Sequence, residues 1–183
     1  MTSSTETLLR GESPPAAAPS PPHLLTPSLR RRLAAFVYEG VLLFGLVMAT
    51  GAVYAVATQQ RHALQGRPGM MAVQFLSLAI YFIWFWTHGG QTLAMKTWHV
   101  RLVSRLGGPV APRQALARFM ASWLWFMPAW LGAWLLDWHR STALYGTMGA
   151  WVCMYACLTW LLPERQFLHD VICGTKLVDT RRR

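Results

Sequence analysis

The chain has 183 residues, of which 54% are hydrophobic and only 13% charged, with a formal net charge of +10. That charged share is roughly half of what an average soluble domain carries, and a chain this short has too little interior to hide so much apolar surface in one core. A soluble single-core protein is therefore a poor reading, and lipid is the natural alternative solvent. The basic balance invites a nucleic-acid reading, because Lys and Arg neutralise phosphates. The charges, however, fall between long apolar runs, so no nucleic-acid partner is expected.

Met1 to Pro27 is rich in Ser, Thr, Pro and Ala, with prolines at 14, 15, 19, 21, 22 and 27. Such a segment buries too little to offset its ordering entropy, so residues 1–27 are expected to be a disordered tail. No apolar stretch follows a basic start there, so it does not read as a secretory signal. Four apolar runs come next, at about Leu33 to Ala57, Met70 to Thr87, Phe119 to Leu136 and Ala143 to Leu162. A hydrocarbon core of about 30 Å needs roughly 17 to 25 helical residues, and each run meets that length. The first contains one formal charge, Glu39, and the others none.

Loop charge sets the orientation. Arg10, Arg30, Arg31 and Arg32 precede the first run; Lys96, Arg101, Arg105, Arg113 and Arg118 lie between the second and third; Arg165, Lys176, Arg181, Arg182 and Arg183 follow the fourth. Only Arg61, Arg67 and Arg140 occupy the other two loops. Basic residues collect on the cytoplasmic side, so both termini are expected inside. Trp84, Trp86, Trp123, Trp138 and Trp160 lie toward span ends, where indole prefers the headgroup zone. Trp130, Trp134 and Trp151 lie deeper and are expected to pack helix on helix, and Pro128 should kink the third helix.

The loop between the second and third runs has order of its own. Trp98, Val100 and Leu102 alternate with His99 and Arg101, a strand signal, and Gly107-Gly108-Pro109 makes a turn. A helix then starts at Pro112, a residue suited to a first turn. Thr175 to Val178 is a second strand candidate, and the two strands could pair into a cytoplasmic ribbon capping the bundle. An internal echo is also visible: Arg30 to Phe36 and Arg113 to Phe119 both read R-x-x-L-A-x-F, as parallel repeats would.

Ionisable groups at membrane depth are costly and tend to matter. Arg32 and Glu39 are seven residues apart, about 10.5 Å along one helix face. A third group bound between them could bridge the two. Asp170, in the polar stretch after the last run, could meet Arg32 at the inner boundary. Among weaker candidates, Cys153 and Cys157 share a face at i, i+4 and could suggest a soft metal, but small residues packing inside a helix is the favoured reading. The three cysteines, with Cys173, form no CxxC pair. His169 beside Asp170 does not make a metal site by itself. Gly89-Gly90-Gln91-Thr92 lacks the Gly-Lys-Ser/Thr end of a phosphate loop. No metal, cofactor or enzymatic activity is expected.

Three stretches together resemble the RDD family of bacterial membrane proteins, named for an arginine and two aspartates. They are Arg32 to Glu39, Gly90 to Lys96 with Val100 to Val103 behind it, and Arg165 to Asp170 followed by Gly174-Thr175 and Leu177-Val178. The chain departs from the family pattern where Glu39 replaces the first aspartate and Ala94 replaces a glycine. The resemblance implies Arg32, Glu39 and Asp170 as the family's charged positions and a bacterial inner membrane as the location. It also implies a tie to cation–proton antiport, to which some members have been linked. The expected architecture is an all-α membrane protein: a four-transmembrane-helix bundle over residues 28–178 with a two-stranded ribbon, followed by a basic tail at 179–183. The favoured role is that of a structural, accessory or assembly protein, with the bilayer, a second copy or other membrane proteins as partners and the charged trio fixing helix register. The alternative is a subunit of an oligomeric cation- or proton-coupled transporter.

Overall fold

The structure, a computed structural model, describes residues 25–59, 67–135 and 141–181. Most of the expected tail, Trp138 and the last two arginines lie outside these residues. Leu25 to Pro27, assigned to the tail from sequence, are tied down. The Leu25 carbonyl accepts from Asp179 N–H at 2.8 Å, and the Thr26 hydroxyl donates to the Glu164 carbonyl at 3.2 Å.

Helix α1 (Leu29–Ala57) starts as soon as Pro27 is passed, with the Ser28 carbonyl accepting from the Arg31 and Arg32 N–H groups. Helix α2 (Arg67–Thr87) has Pro68 in its first turn, where a missing N–H costs nothing. Helix rise makes α1 about 44 Å and α2 about 32 Å long. Both are long and apolar enough to cross a membrane, and hardly any of their length is buried inside the protein. Val41, Phe44, Val53, Val56, Met71 and Ile80 are each at least 66% exposed, an arrangement that water would penalise and lipid would not. Partway along, side chains tie the two helices together: Gln74 accepts from the Thr50 hydroxyl at 2.8 Å and donates to the Val47 carbonyl at 2.9 Å.

After α2 the chain turns at Gly89 and Gly90, both with positive φ. Gly90 is obligatory: at φ 72° a β-carbon would stand 2.3 Å from the Leu102 carbonyl oxygen. Short helix α3 (Leu93–Thr97) follows, capped by the Thr92 hydroxyl, which accepts from Met95 N–H at 3.2 Å. Strand β1 (Val100–Ser104) then pairs antiparallel with β2 (Thr175–Asp179), Leu102 opposite Leu177. The expected ribbon is therefore present.

The third apolar run differs from expectation. Instead of one kinked helix there are two: α4 (Pro112–Ser122), then a tight turn over Trp123–Trp125, non-helical Phe126, and α5 (Met127–Leu135). Pro128 cannot donate to the Leu124 carbonyl four residues back, and its ring clashes with a helical approach there. The chain breaks just before it, leaving Pro128 in the first turn of α5. The freed Leu124 carbonyl is claimed by the Trp151 indole N–H at 2.9 Å, so a side chain of α6 (Ser141–Cys157) replaces the lost bond. Beyond α6 come tight turns over Leu158–Trp160 and Pro163–Arg165, then α7 (Leu168–Ile172).

Trp151 thus joins helix to helix as expected, while Trp130 and Trp134 do not: they are 52% and 66% exposed. Trp86, placed at the headgroup zone by its position near a span end, is buried instead. Cys153 and Cys157 lie exposed on α6 rather than packed inside it. The dense core sits at one end of the molecule. Trp86, Met95, Val100, Leu102, Ala115, Phe119, Phe167 and Leu177 are buried together beneath the ribbon. The start of α1, the end of α2, the start of α4 and the ribbon all meet at this end.

Candidate functional site

The buried charges lie within this dense end. On α4, Ala115, Arg118 and Phe119 are all buried, the i, i+3, i+4 spacing of one helix face. Arg118 therefore points into the core. Its Nε donates to Asp170 Oδ1 at 2.7 Å, with the side chains only 8% and 0% exposed. Its guanidinium also lies over the Trp86 ring, 4.2 Å from the centroid, a desolvated cation–π contact that holds the group in plane.

Asp170 sits in the first turn of α7. The Thr175 hydroxyl donates to Oδ1 at 3.1 Å, and Oδ2 is buried with no hydrogen-bond partner among the described residues. Burial alone would raise its pKa, but the charges of Arg118 and His169 and the hydrogen bonds from Arg118 and Thr175 outweigh that and hold it below the usual carboxylate range. His169 is also buried. Its backbone N–H donates to the Tyr155 hydroxyl at 3.1 Å, and that hydroxyl lies 2.9 Å from Nδ1. A neutral ring accepting at Nδ1 satisfies this arrangement, with its proton on Nε2, 3.7 Å from Asp170 Oδ1. Burial pushes the His169 pKa down to about 4, with Arg118 adding to that and Asp170 opposing it.

Glu39 faces the same region from α1. The Tyr81 hydroxyl of α2 donates to its Oε1 at 2.6 Å, and the Thr92 hydroxyl donates to its Oε2. Thr92 is fully buried and also caps α3, so one hydroxyl ties the carboxylate to the fold of the loop. The tight Gly90 turn is what brings Thr92 there. Arg32, 4% exposed, stacks over Phe167 at 4.7 Å. Its Nε and Nη1 have no hydrogen-bond partner among the described residues. Asp170 lies within electrostatic range of Arg32, yet no hydrogen bond joins them.

The structure therefore brings Arg32, Glu39 and Asp170 into one neighbourhood but pairs them differently from the sequence expectation. Asp170 meets Arg118, not Arg32. Arg32 and Glu39 do not touch; they line one cavity of about 450 Å³, together with Arg118, Trp86, Phe119 and Phe167. A separate ion pair closes the end of the ribbon, where Arg31 binds Asp179 and the Trp98 carbonyl. Burial works to raise the Asp179 pKa, but Arg31 and Arg181 hold it well below the ordinary carboxylate range.

Sequence reasoning missed Arg118, Tyr81, Thr92 and Tyr155. Arg118 had been counted as a loop charge, although its spacing from Ala115 and Phe119 marks an arginine on an apolar face. Tyr81 carries a polar tip at membrane depth, which is a comparable signal. Nothing local marks Tyr155, whose role depends on where α7 lands. No group of three or more His, Cys, Asp or Glu residues that could hold a metal occurs among the described residues.

Two apolar helices of spanning length and a buried charge network under a two-stranded cap define a helical protein of membrane type. The chain belongs to the RDD family, whose family model matches residues 26–174. Searches of curated proteins and of solved structures return no match.

Proposed function

We propose that this is a multi-pass protein of the bacterial inner membrane with four spans and both termini in the cytoplasm. In this reading the buried charge network is a structural lock and not an ion pathway. The protein acts as an accessory or assembly component, catalyses no reaction, and meets other membrane proteins or a second copy of itself. The observation that carries this reading is how the charges are partnered. Asp170 is fully buried against Arg118, and both Glu39 oxygens accept from hydroxyls. A carboxylate that loads and releases a cation must exchange partners with water at each cycle, whereas these are held by groups that also shape the fold. Four short spans are also few for a monomeric alternating-access carrier.

The membrane placement rests on the bare apolar faces of α1 and α2 and on the charge asymmetry. Counting about 20 residues back from Ala57 reaches the region of Tyr38. That sets Glu39 at the hydrocarbon boundary and Arg32 at headgroup depth. A reporter fused after Arg183 should be active only in its cytoplasm-dependent form, and one inserted near Gly66 only in its exported form. Purified protein in proteoliposomes should show no cation flux and no coupled internal pH change. Flux that Glu39→Gln abolishes while the protein stays folded would replace the structural reading with the transport one.

A further inference from the structure

The Arg32 guanidinium is the one cation of the network whose hydrogen bonding the described residues leave incomplete. Arg118 has Asp170, and Glu39 has two hydroxyls. Arg32 is 4% exposed, and its Nε and Nη1 are buried without an acceptor. Buried donors are rarely left so, and each one costs free energy until something accepts from it. The same side chain lines the 450 Å³ cavity, a volume within the roughly 300–1,000 Å³ of small-molecule sites.

The cavity is amphipathic and has a direction. Its deep end holds Arg32, Arg118 and Glu39, and its walls are mainly aromatic and aliphatic. From there it runs outward to Val37 and Gly40 on α1 and Phe126 before α5, all exposed on the apolar flank of the helices. A ligand that fits must present an oxyanion to Arg32 and an apolar chain to that flank. We propose that the cavity is a binding site for one anionic glycerophospholipid of the inner leaflet, its phosphate accepting from the Arg32 guanidinium and an acyl chain lying past Gly40. This rests on the membrane placement proposed above, which sets Arg32 at headgroup depth. The Phe167 ring covers a face of the Arg32 guanidinium, and a guanidinium donates from its edge, in a fork that matches two phosphate oxygens. A water held between Arg32 and the unpartnered Oδ2 of Asp170 would satisfy the same atoms with no ligand, and the test must separate the two.

Full-length protein in detergent would be titrated with phosphatidylglycerol, phosphatidylcholine, oleate and inorganic phosphate, and bound ligand counted by native mass spectrometry. The wild type should retain one phosphatidylglycerol under activation that strips phosphatidylcholine. Arg32→Gln should weaken that retention roughly ten-fold or more, as expected for loss of charge-assisted hydrogen bonds. Gly40→Leu leaves the charges untouched, and open space surrounds its β-carbon. It should weaken phosphatidylglycerol retention several-fold while leaving the lipid-free melting midpoint unchanged, so the proposal stays testable if Arg32→Gln misfolds. Arg30→Gln, an exposed neighbour, should bind as the wild type does. Equal retention of phosphatidylglycerol and phosphatidylcholine, or wild-type retention in both Arg32→Gln and Gly40→Leu, would overturn the site in favour of trapped water. Inorganic phosphate or oleate binding as tightly as phosphatidylglycerol would overturn the lipid assignment. Alkaline extraction of the same membranes tests the placement separately: extraction of the wild type would undo the membrane reading, while a resistant protein with no headgroup preference undoes only the lipid site.

Discussion

Removing Arg118 should be among the most damaging single changes in the protein. Asp170 is 0% exposed, and among the described residues Arg118 Nε at 2.7 Å is its only charged partner within hydrogen-bond distance. Its other oxygen has no partner among the described residues, and the Thr175 hydroxyl at 3.1 Å is neutral. Arg118→Met keeps most of the apolar volume over Trp86 but strands a buried carboxylate. Breaking a buried pair from one side costs about 3–5 kcal/mol, against a total stability of about 5–15 kcal/mol for a typical domain. Adding Asp170→Asn removes the stranded charge, so the double variant should recover much of that loss, with a coupling of about 2 kcal/mol or more. Unfolding in detergent, followed by tryptophan near-UV circular dichroism across the four proteins of the cycle, measures it. Additive single effects, or a cost for Arg118→Met below about 1 kcal/mol, would refute the reasoning.

Glu39→Gln should destabilise the protein by roughly 1–3 kcal/mol, because an amide cannot accept from both the Tyr81 and Thr92 hydroxyls on its two ends; the same unfolding assay reads it. Stability should also depend on His169. Its pKa is about 4 when folded against an ordinary 6.5, so as pH falls the unfolded chain takes up the proton first. The contribution is intact above pH 6.5 and lost progressively down to about pH 4, by about 3 kcal/mol at most. His169→Gln should flatten that window, and the loss tied to Asp170, whose pKa is lowered, should follow only at lower pH. Gly90→Ala should cost about 2 kcal/mol or more, since a β-carbon would meet the Leu102 carbonyl at a positive φ; faster proteolysis within residues 89–104 would reveal it.

What sequence could show followed what is periodic or charged. The apolar runs mark α1 and α2 because a long helix in lipid needs only length and composition. The ribbon was legible from Val100 and Leu102 alternating with Arg101, and from the short run at Thr175 to Val178. The break before α5 was not, because Pro128 says only that one helical bond is lost. Whether the chain bends or breaks depends on what else can satisfy the Leu124 carbonyl, and Trp151 lies 27 residues away. Trp86 was misplaced for a similar reason: its position along α2 fits an interfacial ring, and only the arrival of Arg118 from α4 makes it a buried cation platform. Arg32, Glu39 and Asp170 were identified as a group, but their true partners lie on elements whose packing no local pattern records.

The echo between Arg30–Phe36 and Arg113–Phe119 explains why Asp170 pairs with the arginine it does. In that alignment Arg32 matches Ala115 and Ala35 matches Arg118, and all four are buried. Each helix thus turns one arginine and one alanine inward at the same two positions, in opposite order. The swap offsets the two guanidinium groups by one helical turn in their own helices. On α4 the arginine is the deeper of the two positions, over Trp86 and within reach of α7. On α1 it is the position nearer the helix start, over Phe167 and lining the cavity. Two arginines at matching depth would compete for a single Asp170 and repel each other across it. The swap gives Asp170 to Arg118 and leaves Arg32 beside a cavity open to the apolar flank. One arginine thereby closes the fold, and the other is left free to receive an anion from outside it.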